Sequence, residues 1–240
     1  LAFLVTVSFL SASFAAAGSL SVGFASYFSE LWDLPPALLV ALLFLAVLTI
    51  INFIGITESV VANMLMTFVE ILGLVIVVFI GVWYVAEGKA DFGRLVEFET
   101  TSNPIFAIIA GVALAFFAMT GFENVANVAE ETIDPHRNFP RALIGGMIAA
   151  GLIYVLVAMT ASLVVGAGDL ANSDAALLEV VRADIFPLPL GFMTTFFAVI
   201  ACIAITNTTL VAVVTQPRIL YGMAREDVVP GVFAKLHPTR

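Results

Sequence analysis

A glycine and a carboxylate lie close together inside a long apolar stretch of the chain. The stretch 104–129 contains Thr120-Gly121, and Glu123 follows two residues after the glycine. A glycine inside a helix costs about 1 kcal/mol relative to alanine, and a charge at membrane depth costs at least about 2.5 kcal/mol. Together these features indicate a broken membrane helix. A kinked helix with a glycine at a close crossing is the alternative, although it leaves Glu123 unexplained.

A broken membrane helix exposes backbone groups that can bind a small polar molecule. Lipid cannot satisfy the free carbonyls of the first half or the free amides of the second. These groups must therefore line a cavity that is enclosed by protein or filled with water. The carbonyls also carry the negative end of the helix dipole, which suits an ammonium group. The break predicts half of a substrate site at residues 119–122, between two helices.

Further polar side chains interrupt other apolar segments: Glu70, Thr206, Asn207 and Thr209. No Lys or Arg lies within any apolar segment, so neither Glu70 nor Glu123 has a cationic partner there. An acid at membrane depth is a natural proton carrier, and these residues are candidates for ion coupling. Two alternatives stay open. The acids could help the hydroxyls to coordinate sodium, or each could be a protonated group that only hydrogen-bonds a neighbouring helix.

The composition requires elements that cross a membrane. The chain has 240 residues, of which 62% are hydrophobic and 11% charged, and its mean hydropathy is +1.12. A soluble domain would carry about 25% charged residues. Six apolar segments reach the roughly 18 residues that a spanning helix needs. We name them A to F, at about 1–29, 37–54, 62–86, 104–129, 142–167 and 189–214. We expect an all-α bundle, with 1–240 as one transmembrane domain and 215–240 as a cytoplasmic loop.

The distribution of Lys and Arg predicts the orientation of the segments. With the loop between C and D outside, the outer loops carry Lys89, Arg94 and Arg182. The inner loops then carry Arg137, Arg141, Arg218, Arg225, Lys235 and Arg240. Six basic residues against three is a modest positive-inside bias. It places the charged hinge 134–141 in the cytoplasm.

Several classes of function are disfavoured by what the sequence lacks. The net charge is −9, and there is no basic patch with interleaved aromatics, so we expect no nucleic-acid partner. No nucleotide-binding, hydrolase or metalloprotease motif occurs, so we expect neither an enzyme nor a cofactor or metal site. The single Cys202 lies in an apolar segment and is expected to be a small buried residue. The apolar first residues and polar last residues indicate the interior of a longer protein.

Two motifs of the chain resemble one family of transporters. FFAMTGFENVANVAEETIDPHRNFPRAL, at 116–143, resembles the sixth-helix region of amino acid–polyamine–organocation (APC) permeases. It holds the glycine break, an acidic pair and a P-x-R-x-x-P hinge at 135–140. The tail at 218–230 resembles the loop after helix eight of that family. Segments A to F then look like helices three to eight of a twelve-helix, LeuT-type fold of two inverted repeats. Helix one, with the other half of the site, is absent.

The resemblance implies roles for named residues. Carbonyls near Phe117 and Thr120 would take the α-amino group of the substrate, and Phe117, or less suitably Phe116, would be an aromatic gate. The substrate site is therefore assigned to Phe116, Phe117, Thr120, Gly121 and Phe122. A cytoplasmic gate or hinge is assigned to Glu130, Glu131, Arg137 and Arg141. The two arginines could instead be positive-inside anchors. Glu70 matches a helix-five position where some proton-coupled members carry a Lys.

These features predict a secondary active transporter of amino acids or related amines. We expect a multi-pass protein of the cell membrane, whose partners are the lipid bilayer, the substrate and a coupling proton or sodium ion. Symport and exchange both fit this prediction. A receptor or scaffold that binds an amino acid without moving it is one alternative. An ion channel is another, although no filter-like loop stands out in the sequence.

Overall fold

The structure is built from α-helices. The computed structural model describes residues 2–33, 35–54, 60–96, 104–119, 121–122, 134–183, 185 and 189–235. Within these ranges it contains helices and turns and no β-strand. Apolar segments in lipid must satisfy their backbone hydrogen bonds internally, which a helix achieves within one segment. The all-α prediction is confirmed.

The helices follow the apolar segments in chain order. They are α1 (Ala2–Ser29), α2 (Ala37–Ile54), α3 (Val60–Ala86), α4 (Pro104–Met119), α5 (Pro135–Val164), α6 (Ala167–Asn172), α7 (Ala176–Arg182) and α8 (Leu190–Arg225). Short 3₁₀ helices lie at Phe92–Val96 and Gly231–Ala234. Among the described residues, α1, α2, α3, α5 and α8 are long and apolar enough to cross a membrane. With 16 residues, α4 spans only about 24 Å at roughly 1.5 Å per residue.

Two helices extend beyond the apolar segments that predicted them. α5 begins at Pro135, seven residues before the expected start of segment E at 142, with the proline in its first turn. Proline is favoured there because the first backbone amides of a helix have no intrahelical partner. The polar residues of the hinge therefore form the first turns of α5. Hydropathy detects the apolar part of a helix and misses such polar ends.

The expected loop at 215–240 is wrong for its first part, because α8 continues to Arg225. Met223 and Ala224 are buried near the end of this extension. Gln216 donates from Nε2 to the backbone carbonyl of Ser13 on α1, at 3.1 Å. These contacts stabilise helix beyond the apolar segment and past Pro217. They join distant parts of the chain, so no local pattern predicts them.

The chain divides into two compact units, and the division falls within α3, after Gly73. The first unit consists of Leu1–Gly73 and Leu188–Arg240, and α8 packs there against α1 and α2. α1 presents a face of small buried residues, Ala17, Ser21 and Ala25, which follow one another at intervals of four. Residues four apart lie on the same helix face, and small side chains let membrane helices approach closely.

The second unit, Leu74–Pro187, contains the end of α3 and helices α4 to α7. α5 contacts α4, α7 and the 3₁₀ helix Phe92–Val96. Gly81 lies so close to Thr160 of α5 that a β-carbon at Gly81 would overlap the threonine side chain. Leu178 and Val180 of α7 are fully buried. The loop between segments E and F thus contains a helix whose apolar side is buried.

Candidate substrate and coupling sites

α4 ends inside apolar segment D, close to the predicted break. Its last residue is Met119, and Gly121 follows with φ at 115°. Glycine adopts this backbone conformation readily because it has no β-carbon, whereas other residues rarely do. Ala37–Ile54, in contrast, is helical over the whole of its apolar segment. Thr120 and residues 123–129, the expected second half, lie outside the described residues.

The end of α4 presents backbone acceptors. The last four carbonyls of a helix have no partner within it. One of them, the carbonyl of Ala118, accepts a hydrogen bond from the Tyr154 hydroxyl of α5 at 3.1 Å. Sequence reasoning missed Tyr154. Its signal was a phenol within the apolar run GLIYVLV of segment E, where a hydroxyl needs a hydrogen-bond partner.

The aromatic residues assigned to the substrate site border the end of α4. Phe116 is 65% exposed, Phe117 46% and Phe122 37%. The three rings thus have surface available for a substrate, for lipid or for another helix. Phe117 is the better covered of the two gate candidates, and it lies four residues before Gly121.

The predicted coupling residues of α8 lie on different faces of the helix. Successive residues are about 100° apart around a helix axis, so Thr206 and Asn207 cannot face the same point. Thr206 lines an apolar hollow of about 280 Å³ with residues that include Phe24 of α1 and Met66 of α3. Asn207 is buried and donates from Nδ2 to Oγ1 of Thr67, at 3.5 Å. Thr209, three residues after Thr206, is fully buried.

The hydroxyls of α8 are oriented by their own helix. Thr206 Oγ1 donates to the carbonyl of Cys202, and Thr209 Oγ1 donates to the carbonyl of Ile205, each at 2.7 Å. Each hydroxyl proton is thereby used, which leaves the oxygen lone pairs as acceptors. Asn207 Oδ1 is buried and has no hydrogen-bond partner among the described residues. These oxygens can accept from a proton donor or coordinate a cation.

Glu70 is partly buried and lies near the contact between α3 and α8. It follows Thr67 by three residues on α3, and such residues share a helix face. The structure therefore brings Thr67 to Asn207 and places Glu70 about one turn further along. Sequence reasoning missed Thr67, although its spacing from Glu70 was visible. Glu123, the competing acid, lies outside the described residues.

The hinge arginines lie in the first two turns of α5. Arg137 and Arg141 are both exposed, and their spacing of four puts them on one face. Their proposed gate partners, Glu130 and Glu131, lie outside the described residues. An exposed arginine pair at the start of a spanning helix fits a gate and also fits an anchor at the membrane surface.

Long apolar helices, one of which ends inside its apolar segment, define a multi-pass integral membrane protein. The sequence profile of the amino acid permease family matches residues 1–240. The chain belongs to this family, which consists of transporters rather than enzymes, and the predicted APC resemblance is confirmed.

Curated relatives cover the chain at moderate identity. The "Cationic amino acid transporter 9, chloroplastic" of Arabidopsis thaliana is 27% identical over 99% of the chain and 44% of its own length. The "Branched-chain amino acid permease BcaP" of Bacillus subtilis (strain 168) is 25% identical over 93% of the chain and 50% of its own length. The "Methylthioribose transporter" of the same bacterium is 26% identical over 87% and 41%. The chain spans about half the length of these relatives.

Proposed function

We propose that the chain forms part of a secondary transporter that moves amino acids across a membrane. The observation that carries this proposal is the end of α4 at Met119, followed by Gly121 with φ at 115° inside an apolar segment. The last carbonyls of a helix have no partner within the helix and need a polar partner, which lipid does not supply. Two of the three relatives described above have amino acids in their names, which supports this substrate class.

The carbonyls at the end of α4 would receive the α-amino group of the substrate. They carry the partial negative charge of the helix dipole, which favours a cation by about 0.3–1 kcal/mol at an exposed helix end. Phe117 would cover the substrate as a gate. Phe117→Ala is therefore expected to raise the KM for uptake several-fold, and Phe116→Ala to change it less. Uptake measurements on both variants test this. If both substitutions change the KM equally and only slightly, the gate assignment is wrong.

Coupling to protons would use Glu70. This carboxyl lies on α3 within an apolar helix, one turn from Thr67, which accepts a hydrogen bond from the buried Asn207. A single carboxyl can bind and release a proton without further ligands, whereas sodium needs several oxygens around it. Glu123 would be the alternative proton site, closer to the break. A sodium site would instead use the side-chain oxygens of Thr206, Asn207 and Thr209 on α8 as ligands.

Counterflow in liposomes tests the function. The purified full-length protein is reconstituted, loaded with unlabelled amino acid and supplied with a trace of labelled amino acid outside. We expect transient accumulation of the label, because a transporter exchanges internal for external substrate. A receptor would bind the amino acid without accumulation, and a channel would dissipate an imposed ion gradient without it. Either result would overturn the proposal. Imposed pH and sodium gradients then distinguish the coupling ions.

A further inference from the structure

Pro217 lies inside α8 and removes one of its backbone hydrogen bonds. α8 is a single helix from Leu190 to Arg225, with Pro217 in its interior. In an α-helix each amide N–H donates to the carbonyl four residues before it, and proline has no N–H. The carbonyl of Val213 therefore lacks its usual donor. Val213 is buried and lies in apolar segment F, where lipid supplies no replacement.

A side chain of α2 supplies a donor to this carbonyl. Asn52 Nδ2 donates to the carbonyl of Val213 at 3.2 Å, and 161 residues of sequence separate the two. A proline ring also pushes away the carbonyl four residues before it, which opens the helix on that side and lets a side chain approach. Pro217 and Asn52 thus act on the same backbone carbonyl from two different helices of the first unit.

A second amide next to the proline makes a similar bond with a different consequence. Gln216 Nε2 donates to the carbonyl of Ser13 on α1, at 3.1 Å. Ser13 lies inside α1, and Ala17, four residues further on, has an N–H that can donate to it. The carbonyl of Ser13 thus keeps a helical donor, whereas that of Val213 has lost its own. Gln216 is therefore a close comparison for Asn52.

We propose that Pro217 forms a joint in α8 and that Asn52 holds this joint by replacing the missing backbone donor. The bond fixes the direction of the last part of α8, residues 218–225, relative to α2. The 3₁₀ helix Gly231–Ala234 follows this part in the chain and packs against α8, so its position depends on the same bond. The inference concerns the conformation of α8 and does not depend on the proposed function.

A double-mutant cycle tests the joint through the stability of the full-length protein in detergent. Pro217→Ala returns an N–H to position 217 and with it the usual donor to Val213. Asn52→Leu is expected to lower the unfolding temperature by about 2–4 °C in the wild-type background, as for one lost hydrogen bond, and by less than about 1 °C in the Pro217→Ala background. Gln216→Leu is the matched control, and its effect should be the same in both backgrounds.

Spin-label distances distinguish a held joint from a general contribution to stability. One label is placed at Ala37, at the start of α2, and the second either at Glu226, just after α8, or at Thr208, before the joint. All three positions are exposed, and the native cysteines are removed. Asn52→Leu is expected to broaden the distances from 37 to 226 and to leave those from 37 to 208 unchanged, because only the first pair spans the joint. In the Pro217→Ala background, Asn52→Leu should change neither.

Other outcomes would overturn the inference. If Asn52→Leu lowers the unfolding temperature equally in both backgrounds, the asparagine does not replace a missing donor. Unchanged distances from 37 to 226 in Asn52→Leu would show that it does not hold the joint. If Asn52→Leu alone does not fold, the double variant decides, since restored folding supports the inference and continued failure contradicts it. If Pro217→Ala does not fold, the distances in Asn52→Leu decide.

Discussion

Asn207 is a buried amide with one satisfied end. Its Nδ2 donates to Thr67, while its Oδ1 has no partner among the described residues. At 3.5 Å the bond is long, and long hydrogen bonds contribute little. Removing Asn207 should therefore have a different effect on stability from removing its partner, Thr67. Leaving a buried polar group unpaired costs about 1–3 kcal/mol, whereas replacing it by an apolar group of similar shape can be nearly neutral.

Thr67→Val is expected to destabilise the protein by about 1 kcal/mol, the low end of the cost of an unpaired buried polar group, because the bond from Asn207 that it removes is already long. Asn207→Leu is expected to cost less than about 1 kcal/mol, since it removes the unsatisfied oxygen as well as the long bond. Thermal unfolding in detergent measures both. If Asn207→Leu costs more than Thr67→Val, Oδ1 has a partner beyond the described residues, such as an ion.

Glu70→Gln is expected to abolish accumulation driven by a pH gradient and to spare exchange of internal for external substrate. Glutamine keeps the shape of the side chain but cannot carry the proton. The matched control is Glu87→Gln, just beyond the end of α3. There, hydrogen bonds from Lys89 and then Trp83 hold the pKa of the Glu87 carboxyl below its usual value. Glu87 therefore stays ionised near neutral pH and should not contribute to coupling. Normal accumulation by Glu70→Gln would move the role to Glu123 or to neither acid.

At the scale of elements, α3 and α8 approach each other through a glycine. A β-carbon at Gly73 would lie 2.6 Å from Cγ2 of Ile200 on α8, which is closer than van der Waals contact allows. Gly73 follows Thr67 by six residues on α3, and the hydrogen bond between Thr67 and Asn207 also joins α3 to α8. Small residues at such crossings are typical of membrane helices.

Gly73→Ala is expected to lower the stability by up to about 2 kcal/mol. Overpacking costs about 1–3 kcal/mol, and the better helix propensity of alanine offsets about 1 kcal/mol of that cost. Gly145→Ala on α5 is the control, since its added β-carbon meets no atom of the described residues within 4 Å. It should be neutral or stabilising. Unfolding temperatures of both variants measure the difference. A Gly73→Ala variant as stable as Gly145→Ala would show that α8 can shift to make room.

At the scale of the whole molecule, the chain covers about half of its relatives, 44% of one and 50% of another. We therefore expect these 240 residues alone to bind amino acids weakly and not to transport them, since the resemblance assigns the carboxylate half of the site to another helix. The test is the uptake of labelled amino acid by liposomes that contain only these 240 residues. Robust uptake would contradict the assignment of half of the site to a helix outside the chain.

Much of the fold was predictable because lipid allows an apolar segment few solutions. Segment B gave α2 at the predicted residues 37–54, and the prolines at 35 and 36 mark its start. The polar ends of α5 and α8 were not predicted, because hydropathy measures burial in lipid and not backbone conformation. The end of α4 near Gly121 could be anticipated, since a glycine beside an acid is a local signal.

The sequence by itself determined the apolar lengths, the class of protein and the position of the glycine in segment D. These depend on local composition and on the thickness of the bilayer. Only the tertiary structure decided which polar groups meet. The partners of Thr67 and Tyr154 lie 140 and 36 residues away, on other helices. Such contacts depend on how each helix is rotated and packed against its neighbours. Rotation by one residue changes the direction of a side chain by about 100°, and apolar composition alone does not specify it.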